Sequence, residues 1–174
     1  MKDLKFNIGP LQFKVQNLVG SAKGEEEVSE LINYIKSSNP THKVYEPIYD
    51  DIINENDNWE VYMAFNDSLI FEFLKDKLIY IAFDLRFLDK KVISLPPFVN
   101  NINSIEDLDI EGEFNHDKGC FQTLIDSDIV LAVILDEQIK IKVNVVAFGD
   151  LSVFSNEKNM PNRYSKILGG LARI

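Results

Sequence analysis

Apolar and polar positions alternate almost from the start of the chain. Leu4, Phe6 and Ile8 are spaced by two, Gly9-Pro10 interrupts, and Leu11, Phe13 and Val15 resume the same spacing. A period of two around a Gly-Pro break predicts two short strands joined by a tight connection, as in a hairpin. Gly20, Ser21 and Gly24 end the pattern, and the period then lengthens. Val28, Leu31, Ile32 and Ile35 fall at i, i+3, i+4 and i+7, which predicts a helix over residues 25–37. Glu25, Glu26 and Glu27 occupy its first turn, where the helix dipole favours anions, and Asn39-Pro40 stops it.

Residues 41–58 are irregular and acidic, and strand patterns follow in quick succession. Trp59, Val61, Met63 and Phe65 alternate as one apolar set, so Trp59 is expected in the core. Asn66-Asp67 turns, and Leu69, Phe71 and Phe73 answer. Lys75-Asp76-Lys77 is a second turn before a longer strand over 78–87, which completes an antiparallel meander. Pro96-Pro97 stops a short run over 92–95. A strand is expected over 108–114. Ile129–Leu135 is nearly all apolar, as in a strand buried on both faces. After a turn at Asp136-Glu137, Ile139, Ile141, Val143 and Val145 alternate with Lys140, Lys142 and Asn144, which predicts another strand. Pro161 stands as a helix N1 residue before Tyr164, Ile167 and Leu168, with Gly169-Gly170 as a stop. No repeat or composition break divides the chain. It reads as one α+β domain over 1–174, mainly antiparallel sheet with one or two helices packed on it.

Composition narrows the function classes. Apolar residues make up 45% and charged residues 26%, which excludes a disordered or fibrous chain. Lys+Arg number 18 against 28 Asp+Glu, a formal charge of -10, which argues against direct binding to nucleic acid. The longest apolar run, Ile129–Leu135, is too short to cross a bilayer, so no membrane association is expected. The lone Cys120 makes no internal disulfide, and with no signal-peptide pattern the expected compartment is the cytoplasm.

The candidate chemistry is thin. A zinc site needs about four ligands, and the chain offers His42, His116 and Cys120, of which only the last two are close in sequence. Nothing in the pattern brings Cys120 to a histidine base as a nucleophile would require. Asp107/Asp109 and Asp126/Asp128 lack the glycine and further ligands of a calcium loop. Gly169-Gly170 has no strand–loop–helix context for phosphate. The reading is therefore a non-enzyme with no catalytic residues, cofactor or metal.

The charges, by contrast, are clustered. Glu46, Asp50, Asp51, Glu55, Asp57 and Glu60 fall in one stretch without a Lys or Arg, accompanied by Tyr45 and Tyr49. Glu106, Asp107, Asp109, Glu111, Glu113 and Asp117 form a second such stretch. Carboxylates interleaved with tyrosines suit an interface facing a basic protein, with the acids steering encounter and the rings anchoring it. The expected partner contacts are Tyr45, Glu46, Tyr49, Asp50, Asp51, Glu55, Asp57 and Glu60, then Glu106, Asp107, Asp109 and Glu111. The bland alternative is a solvated acidic surface that keeps the protein soluble.

A small, acidic α+β chain with 15 Lys against 3 Arg, 20 Ile and 16 Asn suggests an AT-rich bacterial gene. In size and character, though through no signature motif, the whole chain resembles bacterial toxin-immunity proteins, in particular those of contact-dependent growth inhibition systems. The resemblance implies a one-to-one complex with the toxin domain at the C-terminus of a cognate exported protein. That toxin would be a basic nuclease such as an EndoU-type RNase attacking tRNA, occluded by carboxylates that mimic phosphate. The basic stretch Lys158, Arg163, Lys166 and Arg173 departs from that mimicry. Two other classes stand beside it: a secretion chaperone or adaptor, recognised by exposed apolar patches, and an enzyme or small-ligand binder with a polar-lined pocket.

Overall fold

The expected hairpin forms from β1 (Lys5–Ile8) and β2 (Leu11–Lys14), with Ile8 opposite Leu11. Gly9 takes the first turn position at φ +55°, a left-handed conformation in which glycine is unstrained. Val15 does not extend β2 but opens a one-turn helix, α1 (Val15–Leu18). The amphipathic helix α2 (Glu26–Ser38) buries Val28, Leu31, Ile32 and Ile35, the four residues of the predicted face. The structure is a computed structural model that describes residues 2–39, 41–45, 59–109, 111–115 and 120–154.

The remaining strands are β3 (Lys43–Tyr45), β4 (Trp59–Ala64), β5 (Leu69–Leu74), β6 (Lys77–Asp84), β7 (Ile93–Ser94), β8 (Glu113–Asn115), β9 (Cys120–Asp126), β10 (Ile129–Leu135) and β11 (Val143–Asp150). The short helix α3 (Leu151–Phe154) follows β11. β7 joins the hairpin as a three-stranded sheet in the order β2-β1-β7. The others form one antiparallel sheet in the order β3-β4-β5-β6-β11-β10-β9-β8. The meander β4-β5-β6 is as the turns predict. Lys75 and Asp76 both take positive φ (51° and 61°) between Leu74 and Lys77, the two-residue geometry that matches strand twist.

The large sheet is apolar on both faces. On one face, Tyr62, Phe71, Phe73, Phe83, Val133 and Phe148 meet the small sheet, α2 and the segment 98–108 in the main core. Phe6 of the small sheet stands edge-on to Phe83 at 5.3 Å, and Phe83 in turn meets Phe148 at 6.4 Å. The opposite face carries a smaller cluster that includes Val61, Met63, Ile70, Ala82, Ala132 and Ala147. All seven residues of β10 are buried, as a run without polar alternation requires.

Besides Val15, four sequence expectations are corrected. Of the strand expected over 108–114, the described residues form only its end, Glu113–Asn115, which pairs with β9. The strand expected over 78–87 stops at Asp84, which binds Arg86 and turns the chain. Phe65 does not prolong β4, since it enters the turn at φ 52°. Ile139 and Ile141 do not belong to β11; they are 55% and 51% exposed. Asp136 Oδ1 accepts from the N–H groups of Gln138 and Ile139, folding 136–142 into a turn before the strand begins. Trp59 lies in β4, but its side chain is outside the described residues, as is the tail helix expected from Pro161.

Candidate functional site

The second acidic stretch is built onto the main core by its apolar residues. Ile102 is buried, and Ile105 and Leu108 pack half-buried against the same core, so a spacing of three turns one side of 102–108 inward. The backbone is tied down at both ends. Val143 N–H donates to Asn103 O at 2.9 Å and Ile105 N–H to Ile141 O at 2.8 Å. Further on, Thr123 Oγ1 donates to Glu111 O at 2.7 Å. Gly112 passes so close to β9 that a Cβ there would meet the Phe121 ring and lie 2.8 Å from Gln122 O.

A reciprocal cap holds the turn. Ser104 Oγ accepts from Glu106 N–H at 3.2 Å, while Asp107 Oδ2 accepts from the N–H groups of Ser104 (2.8 Å) and Asn103 (3.0 Å). Those two backbone donors hold the Asp107 carboxyl below the usual carboxylate range, the Ser104 bond contributing most. Asp107 is thus occupied by its own backbone. Glu106, Asp109 and Glu111 are exposed along the same pinned segment.

The other sequence-predicted residues part company. Glu60, in β4, faces Lys23: its carboxylate is bound by the Lys23 ammonium, which also lies 5.0 Å from the Phe73 ring centroid and 5.9 Å from that of Tyr62. It therefore fastens the chain ahead of α2 to the sheet. Burial raises the Tyr62 phenol, partly offset by the charge of Lys23. Tyr45 closes β3, its backbone paired with Val61, and its side chain is outside the described residues. Glu46, Tyr49, Asp50, Asp51, Glu55 and Asp57 lie outside the described residues altogether.

The metal-type candidates are also dispersed. The His42 ring nitrogen Nδ1 lies 2.9 Å from Asn39 O at the end of α2, Cys120 is buried in β9, and His116 is outside the described residues. Among the described residues no group of three or more His, Cys, Asp or Glu is placed to hold a metal ion, and no helix is long and apolar enough to cross a membrane.

Sequence reasoning missed one polar cluster, at the end of the central strands. Arg86 grips Asp84, 1% exposed, with Nε at 2.9 Å and Nη2 at 2.7 Å, and these hydrogen bonds raise the guanidinium above its ordinary value. Asp136 accepts from Asn144 Nδ2 at 3.2 Å, and three hydrogen bonds, led by Ile139 N–H, lower its carboxyl. The Asp-x-Arg spacing at a strand end was the available signal. Beside this cluster Phe87, under the Arg86 guanidinium at 5.4 Å, is 38% exposed. Compared with family models, with curated proteins and with solved structures, the chain matches none.

Proposed function

We propose that this chain is an immunity-type protein, acting in the cytoplasm, that binds a cognate toxin one to one and neutralises it. The toxin in this reading is a basic nuclease acting on RNA, and the acidic segment occupies its phosphate-binding groups. The observation that carries the reading is the disposition of Glu106, Asp109 and Glu111: exposed carboxylates on a segment already fixed by core packing, a reciprocal cap and three tertiary hydrogen bonds. Preorganised acids lose little freedom on binding, which favours their use against a cationic site. A charge of -10 adds attraction at long range.

The test is co-expression with the C-terminal domain encoded by the gene immediately upstream, followed by native mass spectrometry and association kinetics. The reading expects rescue from that toxin alone, a one-to-one complex, and an on-rate that falls as salt rises. Absence of a complex, or association indifferent to salt, overturns it. A second reading, a secretion chaperone, draws on the exposed Phe87, Ile139 and Ile141 at one end of the sheet. The two are separated by variants: E106K/D109K/E111K abolishes partner binding in the first, and I139D/I141D does so in the second.

A further inference from the structure

β2 is an edge strand of the small sheet, and the register decides which backbone groups it offers outward. Asn7 faces Ser94, and Gly9 N–H donates to Val92 O at 2.7 Å, so the odd residues of β1 turn their backbone groups to β7. The even ones therefore bond towards β2, as Val15 N–H on Leu4 O at 3.1 Å bears out just beyond the paired residues. Leu11 and Phe13, opposite Ile8 and Phe6, take up those bonds. Gln12 and Lys14, both exposed, are left with their backbone groups directed away from the sheet. Lys14 is the N-cap of α1, a place where the carbonyl is used by the helix. Gln12 N–H, Gln12 O and Lys14 N–H bond to no described residue.

The side chains beside this edge carry one sign of charge. Lys5 stands opposite Lys14, both exposed, while Phe6, Ile8 and Phe13 turn inward. Like charges placed opposite one another destabilise an antiparallel pair. Neither ammonium is in an ion pair with a described residue, and the carboxylate of Asp3 accepts from the Lys5 N–H at 3.1 Å. The pair is thus a cost to the free chain that an incoming carboxylate relieves.

We propose that this edge receives an extended acidic segment of a partner protein, added to β2 as a further strand. Gln12 bonds it through both N–H and C=O, and Lys14 through its N–H. Carboxylates at alternate positions of that strand fall on the lysine face, about 5 Å from Lys14 and about 10 Å from Lys5. A second copy of this chain is a poorer occupant, since pairing through the same edge about a twofold axis sets the lysines of both copies on one face without a counter-charge. The overall charge of -10 repels an acidic partner, but physiological salt screens that field beyond about 8 Å, so the adjacent lysines decide at contact. The edge takes the opposite charge from the acidic segment assigned to the toxin, and the proposal stands without that reading.

The test uses isotope-labelled full-length protein and two short capped peptides, one alternating Glu with Val and one alternating Lys with Val. Amide NMR should show the Glu peptide shifting Gln12 and Lys14 most. At about ten times its Kd it should slow exchange of the Gln12 amide about tenfold. K5E/K14E should weaken the Glu peptide about tenfold and favour the Lys peptide instead. Q12P removes an outward N–H while sparing the bonds to β1, so it should fold and lose the peptide. Absence of binding, equal binding of both peptides, or undiminished binding to folded Q12P overturns the proposal. Self-association of the native chain that Q12P abolishes also overturns it, by assigning the edge to a second copy. Should Q12P not fold, K5E/K14E decides: an unchanged preference for the Glu peptide refutes the lysine edge.

Discussion

Replacing Gly9 by alanine tests how α2 is held against the first hairpin. Two separate costs can be worked out. At φ +55° any L side chain is strained, which costs about 1–2 kcal/mol. The new methyl would also fall on the Tyr34 hydroxyl of α2, with Tyr34 Cζ at 2.8 Å, so the ring has to move out of its place against the main core. Displacing a packed side chain in this way costs about 1–3 kcal/mol. The sum, about 2–5 kcal/mol, is a large part of the ~5–15 kcal/mol available to a domain. Urea denaturation of the native chain, G9A, Y34F and the double variant forms a thermodynamic cycle. Removing the hydroxyl takes away the nearest atom but leaves Cζ, so Y34F should recover part of the loss, about 0.5–2 kcal/mol of coupling. If G9A costs less than about 0.5 kcal/mol, or if the two changes simply add, the proposed close packing of hairpin on helix is wrong.

The other predictions concern the core, the anchors and pH. F83A removes the ring that meets both Phe6 and Phe148, and should cost about 3–5 kcal/mol, seen as a melting temperature lower by about 10 °C. K23M breaks the half-buried pair with Glu60 and the contacts to Phe73 and Tyr62, with an expected loss of about 1–2 kcal/mol in urea melts. Asp107 and Asp136 have lowered pKa values in the folded chain, so their stabilisation is present above the unfolded value near 4 and is lost as pH falls through the folded ones. Acid titrations of D107N and D136N should therefore be flatter below about pH 4. Burial, followed by the charge of Glu72, raises the Tyr80 phenol well above its ordinary value. Its stabilising contribution is complete below about pH 10 and declines above it, so Y80F should resist alkaline unfolding better than the native chain if packing is retained. E106K/D109K/E111K changes exposed side chains only, and its melting temperature should match the native one.

What the sequence determined by itself is what depends on neighbours along the chain. The spacing of Val28, Leu31, Ile32 and Ile35 specified α2, Gly9-Pro10 specified the first hairpin, and Lys75-Asp76 specified the turn between β5 and β6. The unbroken run Ile129–Leu135 announced a strand buried on both faces. Tertiary structure decided the rest, because a period reports that a residue has an apolar side and not what will lie against it. Ile139 and Ile141 keep perfect alternation with Val143 and Val145, yet Asp136 draws their backbone into a turn and leaves them in water. β6 pairs with β11 across more than sixty residues, and no local signal encodes that register. Among the acids, Glu60, Asp107 and Glu106 look alike in the sequence. Only the fold brings Lys23 to the first, turns two backbone N–H groups onto the second, and leaves the third exposed.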